Sequence, residues 1–194
     1  MKKITFLIIL FLTINLPATS LIAEEDKEIK NHPGYVNFDE IEIPGDAEET
    51  VEVYVKGPLL KLIARATEDE DPGLADILSK LLMIRVNTFS IDRDLADKLK
   101  PKINKIEDRL KDQKWEKVVR VKDRDDLVNI FIKLDNQDRI TGLVVMAIED
   151  DDKAVFVNIV GETDWRSISK IGRKFNVDEL EDLDEKDSPR QRRK

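Results

Sequence analysis

The sequence contains no cysteine and a single histidine, His32. The absence of cysteine excludes disulfide bonds, thiolate metal ligands, cysteine nucleophiles and a lipid attached through an N-terminal cysteine. One histidine argues against a Ser-His-Asp triad and against a zinc site built from several imidazoles, because both need histidine beside other fixed groups. No catalytic motif stands out elsewhere, so the sequence favours a protein that is not an enzyme, and we expect no cofactor.

Basic residues are outnumbered by acidic ones. The 194 residues include 41 Asp and Glu against 33 Lys and Arg, which gives a formal net charge of −8. An acidic surface repels phosphate backbones, so general nucleic-acid binding is disfavoured. Hydrophobic residues make up 41% of the chain, which is enough for one ordinary domain with tails.

The N-terminal residues 1–23 have the pattern of a signal peptide. Lys2 and Lys3 precede the apolar run Ile4–Leu16, which is too short for an ordinary bilayer span. Ala18-Thr-Ser20 places small residues before a cut after Ser20, and a cut after Ala23 is the alternative. We therefore expect an exported protein, periplasmic or extracellular, with no stable membrane anchor after cleavage. An uncleaved N-terminal anchor is the other interpretation.

Periodicity divides the rest of the chain into a linker with an extended segment (24–49), one domain (50–177) and a charged, disordered tail (178–194). Alternating or continuous β-branched runs predict six strands. These are Thr50–Val55, Met83–Ile91, Trp115–Lys122, Leu127–Leu134, Arg139–Glu149 and Lys153–Glu162.

Four helices are expected between and after these strands. Pro58 and Pro72 start the first two, and Asp71, Asp92 and Asp164 are the predicted caps of the last three. The third should run toward Gln113, with a kink or a break near Leu99-Lys100, because Pro101 removes a hydrogen-bond donor and clashes with the preceding turn.

The element order βααβαββββα predicts an α+β fold. We expect a mixed, largely antiparallel sheet of about six strands, with the helices mainly on one face. The last two strands carry the longest apolar runs outside the N-terminus and should form a hairpin in the middle of the sheet.

Several motifs resemble those of one exported bacterial family, the domain of unknown function family numbered 4252. They are Glu52-Val-Tyr-Val-Lys-Gly57, Ile84-Arg-Val86, Trp115-Glu-Lys-Val-Val-Arg120, Gly142-Leu-Val-Val145 and Phe156-Val-Asn-Ile-Val-Gly161. The resemblance covers roughly Tyr35 to Phe175 and implies a shared fold without an established activity. Many members of that family resemble lipoproteins, but this chain lacks the lipid-bearing cysteine.

Two acidic turns of the strand meander should lie at the same end of the sheet, about 10 Å apart. A surface calcium site is one interpretation, since hard cations take several carboxylate oxygens. The other is that aspartates simply favour turns and keep strand ends soluble. The candidate ligands are Asp123, Asp125, Asp126, Asp150, Asp151 and Asp152.

Other polar residues support an enzymatic alternative only weakly. Glu52 and the stretch from Glu162 to Asp164 are candidates for paired carboxylates, although nothing in the sequence fixes their separation. Asn158 interrupts an apolar strand, and a buried amide needs partners. It would bind a ligand or, as we favour, hold a neighbouring loop. We interpret Gly161 as a residue that the main-chain conformation requires where the strand ends.

The last two strands are apolar on both faces, although a sheet covered on one side should alternate. A loop, a helix or another chain must therefore cover part of the second face, and the chain's own segment with Tyr35 and Phe38 is one candidate. The proposed interaction residues are Phe131, Leu143, Val145, Phe156 and Val160.

Taken together, these patterns predict a non-enzymatic cell-envelope protein that acts by contact with itself or with another envelope protein. The alternatives are an envelope hydrolase or transferase that uses Asp and Glu near Asn158, and a weak calcium-binding module.

Overall fold

The structure is a computed structural model that describes residues 26–123, 126–149, 152–164 and 167. Contacts divide the chain into two units, residues 1–31 and residues 32–194. In the first unit the described residues 26–31 are helical. No helix in the described ranges is both long enough and apolar enough to cross a bilayer.

The second unit has nine regular elements in its described part. They are β1 (Thr50–Lys56), α1 (Gly57–Thr67), α2 (Pro72–Lys80), β2 (Leu81–Ser90), α3 (Arg93–Asp112), β3 (Glu116–Lys122), β4 (Leu127–Leu134), β5 (Ile140–Glu149) and β6 (Lys153–Thr163).

The predicted helix caps are present. The Asp71 carboxylate accepts a hydrogen bond from the Leu74 amide at 2.9 Å, and Asp92 accepts one from the Leu95 amide at 2.7 Å. The final predicted helix, with Trp165, Ile168, Ile171 and Phe175, lies outside the described residues apart from Ser167. The Ser167 amide donates to Asp164 Oδ1 at 2.8 Å, as a cap would require.

The six strands form one sheet in the order β1-β2-β6-β5-β4-β3. The α+β fold is confirmed, and the β5–β6 hairpin lies in the middle of the sheet as predicted. All pairings are antiparallel, so the expectation of a mixed sheet was wrong in its parallel part. The reason is that α3 carries the chain from β2 across the sheet to its far edge, and β2 pairs with the antiparallel β6 instead.

Helices cover both faces of the sheet, which corrects the expectation that they lie mainly on one. The first face carries Leu143, Val145 and Val157 and packs against α1 and α2. The second face carries Val144, Met146 and Phe156 and packs against α3 and the segment 32–43, here called the strap. Burial on both faces explains why β5 and β6 are almost uninterrupted apolar runs.

Helix α3 runs through Pro101 without a break, so the break that was one of the two predictions near Leu99-Lys100 is absent. Pro101 is exposed. The Asp97 carbonyl that would have received its missing N–H is therefore on the outer side of the helix, where water can bind it. The apolar stripe of Leu99, Ile103 and Ile106 stays continuous on the inner side.

Candidate interaction surface

Asn158 holds the strap against the second face. Its side chain is fully buried, and its Oδ1 accepts a hydrogen bond from the Val36 amide at 2.9 Å. Its Nδ2 donates to the carbonyl oxygens of Gly34 at 3.0 Å and Leu143 at 3.1 Å. The amide thus satisfies main-chain groups of the strap that would otherwise lie unpaired in the core. This confirms the loop-holding role that we favoured for Asn158.

The strap approaches the sheet most closely at Gly34, which lies on Gly142 of β5. A Cβ added to Gly142 would lie 2.5 Å from the Gly34 Cα and 2.8 Å from Cη2 of Trp115. No side chain fits between two main chains at that separation, so both positions require glycine. This close contact brings the main chain of the strap within hydrogen-bond distance of the Asn158 side chain.

Beyond Gly34, the strap is fixed by an aromatic contact and an ion pair. The Phe38 ring packs edge-on against Phe156, with centroids 5.7 Å apart. Arg109 of α3 donates to the Glu40 carboxylate at 2.9 Å and to the Asn37 carbonyl at 2.7 Å. The strap is therefore a built-in cover of the second face.

The residues that the sequence suggested as an interaction surface do not form one. Leu143 and Val145 belong to the core of the first face, whereas Phe131 and Phe156 belong to that of the second. These four and Val160 are fully buried. The expectation was wrong because both faces are covered by the chain itself, with α1 and α2 on one and α3 and the strap on the other.

One carboxylate, Glu107 of α3, is buried beside the second face. It accepts hydrogen bonds from Lys117 at 2.5 Å and pairs with Lys111 at 2.7 Å. Burial raises the pKa of Glu107, but the hydrogen bonds from Lys111 and Lys117 outweigh burial and hold the pKa below its ordinary value. Lys117 also lies over the Phe131 ring, 5.2 Å from its centroid. This cluster ties α3 to β3.

The structure does not bring the candidate catalytic carboxylates together. Glu52 lies opposite Asn87, which in turn lies opposite Phe156 of β6. Glu162 is six residues further along β6, which is roughly 20 Å at the usual rise per residue. It pairs with Arg139 at 2.8 Å. Glu52 and Glu162 therefore do not share one site.

The strand ends that flank the two acidic stretches lie at the same end of the sheet, as the meander predicted. Lys122 pairs with Leu127, Leu127 with Ile148, and Ile148 with Ala154. Asp125, Asp150 and Asp151 lie outside the described residues. Across the ranges that the structure describes, no three acidic or histidine side chains are grouped to hold a metal ion. Calcium binding by Asp123, Asp126 and Asp152, together with Asp125, Asp150 and Asp151, stays a prediction.

Exposed apolar side chains concentrate around β1 and α1. Val51 is 54% exposed, Tyr54 51%, Leu59 47% and Leu62 62%. We call these four residues the edge patch. Leu59 and Leu62 are three positions apart and share the outer side of α1, while Leu60 and Ala64 take the inner side. By alternation Val51 and Tyr54 lie on opposite faces of β1, so the edge patch follows the β1 edge and the outer side of α1. Exposed apolar residues along such an edge indicate a contact surface.

Strand β1 is also an open edge of the sheet. Within the described part of the chain it pairs with β2 alone. The Ser90 amide donates to the Glu49 carbonyl at 3.0 Å, so by alternation the main-chain groups of Val51, Val53 and Val55 point toward β2. Those of Thr50, Glu52 and Tyr54 then point outward, where another strand could pair with them.

The opposite edge strand, β3, is built differently. Its sequence EKVVRVK carries three basic residues and one acidic residue, and a bulge lies between Lys117 and Val119. Charges and bulges are the usual devices that keep an edge strand from pairing. The two edges of this sheet therefore differ, and β1 is the one open to a partner.

In the sequence, Leu59 and Leu62 indicated a helix by their spacing, and neither they nor Val51 and Tyr54 were singled out as exposed. A signal was present: Leu59, Leu60, Leu62 and Ile63 are more apolar residues than one buried side of a short helix can hold. Which leucines faced outward depended on how α1 packs on the sheet.

A family model described as "Domain of unknown function (DUF4252)" matches residues 40–171, which is more than half of the chain. The match confirms the resemblance noted in the sequence. No curated protein and no solved structure matches the chain.

Proposed function

This chain belongs to the DUF4252 family, and we propose that it is an exported, non-enzymatic protein of the cell envelope that acts by binding a protein chain at the edge patch. The edge patch carries the proposal. It combines exposed apolar side chains on α1 with outward-pointing main-chain groups on β1. Addition of a strand to an open edge is a common mode of protein recognition.

Export is supported by the sequence of residues 1–23, which lie outside the described residues. Lys2 and Lys3, the apolar run Ile4–Leu16 and the small residues before Leu21 have the order of a signal peptide. A chain without cysteine needs no disulfide in an oxidising compartment. The non-enzymatic part of the proposal is supported by the separation of Glu52 from Glu162.

The test is crosslinking in the native envelope with a photoreactive residue in place of Leu62. We expect a discrete crosslinked product that disappears when Leu59 is changed to Asp. Both positions are exposed, so the fold should tolerate the changes. The matched control is a photoreactive residue in place of Val121, which is 46% exposed on β3.

The control position should give no discrete product. If Leu62 and Val121 give the same pattern of products, or if Leu59→Asp leaves the product unchanged, the edge patch is not the contact surface and the proposal is wrong.

A further inference from the structure

We propose that the partner at β1 is an extended segment of another protein that alternates basic and apolar residues, with its basic side chains beside Glu52. This inference rests on the proposed function and names the chemistry of the strand that adds to β1. Main-chain hydrogen bonds give such a pairing its affinity, whereas the side chains along the edge decide which strand is accepted. The charges and the exposed apolar residues along β1 therefore define the partner.

The first half of β1 and the residues just before it carry a run of exposed acidic side chains. They are Asp46, Glu48, Glu49 and Glu52. Within the described ranges none of them forms an ion pair. By contrast, Glu162 near the end of β6 pairs with Arg139 at 2.8 Å. The negative charge along this part of the open edge is therefore left for a partner to neutralise.

The positive charges near β1 lie at its other end. Arg85 of β2 lies opposite Tyr54, and Lys56 lies over the Tyr54 ring, 4.9 Å from its centroid. Lys56 is also the N-cap of α1, so the stretch of edge that a second strand can follow ends before it. The edge is acidic where β1 begins and basic where β1 ends. The basic residues of a bound strand therefore belong beside Glu52 and not beside Tyr54.

Alternation along β1 gives each face of the added strand its own requirement. Glu52 lies opposite Asn87, which lies opposite Phe156, so the Glu52 side chain is on the second face. Val51 and Val53 lie on the first face, and Val51 is 54% exposed. A strand added to this edge places basic side chains beside Glu52 and apolar ones beside Val51. Basic and apolar residues therefore alternate in the partner.

The opposite edge of the sheet would reject such a strand. Strand β3 carries Lys117, Arg120 and Lys122 against Glu116, and like charges directly opposite each other across a strand pair are destabilising. The net charge of the whole chain, −8, also attracts a basic segment and speeds its encounter with the protein. A basic, apolar strand therefore distinguishes β1 from β3.

Synthetic peptides test this chemistry directly. The probe is Lys-Val-Lys-Val-Lys-Val-Lys with capped ends, added to the isotope-labelled protein and followed by NMR. We expect it to protect the amides of Thr50, Glu52 and Tyr54 from hydrogen exchange, because it occupies the outward side of β1. Glu-Val-Glu-Val-Glu-Val-Glu reverses the charge, and Lys-Ser-Lys-Ser-Lys-Ser-Lys removes the apolar residues. Each control peptide should bind roughly fivefold more weakly or worse.

Charge variants of the protein locate the binding. Glu52→Lys and Glu48→Lys should each raise the dissociation constant of the Lys-Val peptide roughly fivefold to tenfold, because an attraction becomes a repulsion. The matched control is Asp112→Lys, the same change in charge at the exposed last residue of α3, and it should leave the constant within about twofold. Added salt should weaken binding to the unaltered protein more than to Glu52→Lys, because it screens an attraction.

Three results would overturn the inference. They are no protection of the β1 amides by the Lys-Val peptide, equal protection by the Glu-Val peptide, and equal affinity of Glu52→Lys and Asp112→Lys for the Lys-Val peptide. An envelope crosslink at Leu62 that persists in Glu52→Lys, or whose product contains only this chain, would leave the proposed function standing while this inference failed. Protection by the Lys-Val peptide without a discrete crosslink at Leu62 would do the opposite.

Discussion

At the scale of single residues, Asn158 shows how a polar side chain is kept in an apolar strand. The sequence indicated a buried amide that needs partners, and the structure supplies them from the strap and from β5. These partners were not predictable from the sequence. Val36 and Gly34 lie more than 120 positions from Asn158, and no motif in the strap indicates that its main chain binds Asn158.

We expect Asn158→Ala to lower the free energy of unfolding by roughly 2–4 kcal/mol, because it leaves buried main-chain groups of the strap without a partner. Urea denaturation measures this value. Asn104→Ala, at an exposed position of α3, is the control and should change stability by less than about 0.5 kcal/mol. Equal effects of the two changes would mean that the Asn158 hydrogen bonds do not hold the strap.

Gly142→Ala should also destabilise the protein, by roughly 1–3 kcal/mol. The added methyl group would meet the Gly34 Cα at 2.5 Å, and a main chain cannot rotate away as a side chain can. Gly45→Ala is the matched change, since no atom lies within 4 Å of a Cβ at that position. A thermal melt in which both variants match the parent protein would contradict this close packing.

At the scale of elements, α3 is tied to the far edge of the sheet by the Glu107 cluster. Its C-terminal end is also bound by Lys133 of β4, which donates to the Gln113 carbonyl. Cations at a helix C-terminus are favourable because they face its unpaired carbonyl groups. These contacts fix the helix that carries the chain from β2 to β3.

The Glu107 cluster gives stability a defined pH dependence. The folded pKa of Glu107 is lower than its ordinary value of 4.5, so the unfolded chain takes up the proton first as pH falls. The stabilisation is therefore complete above about pH 4.5 and is lost as pH falls through the lower folded value. Urea denaturation at several pH values should show the stability advantage over Glu107→Gln shrinking below this point. A constant difference would rule out the role of the Glu107 charge.

The residues at which helices and strands begin and end were largely predictable from the sequence. The face of the sheet on which each side chain lies was not. Leu127–Leu134 is a strand with the bounds that its alternation predicted, and Asp71 and Asp92 cap the helices that they were expected to cap. Periodicity depends only on residues close together in the sequence, so it predicts individual helices and strands well. Which residues of β5 and β6 share a face depends on the register between the two strands. Leu143 lies opposite Ile159, and Met146 lies opposite Phe156, so Leu143 and Phe156 were wrongly assigned to one surface.

At the scale of the whole molecule, the sheet is buried on both faces, and contact with other chains is left to its edges and to the outer sides of its helices. Phe38, Val36 and Ile41 of the strap are core residues, so the compact unit extends to the N-terminal side of the first strand. The proposed function follows from this arrangement, because the apolar surface that remains exposed is concentrated at β1 and α1.

Export makes a prediction for the whole chain. If residues 1–23 are a signal peptide, the protein isolated from its host should begin at Leu21 or Glu24, and its mass should be lower by the residues removed. Intact-mass measurement of the envelope fraction distinguishes the two starts. Replacing Leu10 in the apolar run with Arg should stop processing, because a charge there opposes entry into the membrane. Recovery of the intact Met1 chain from the soluble cytoplasmic fraction of the unaltered strain would show that the chain is not exported. The edge patch would then need a partner inside the cell.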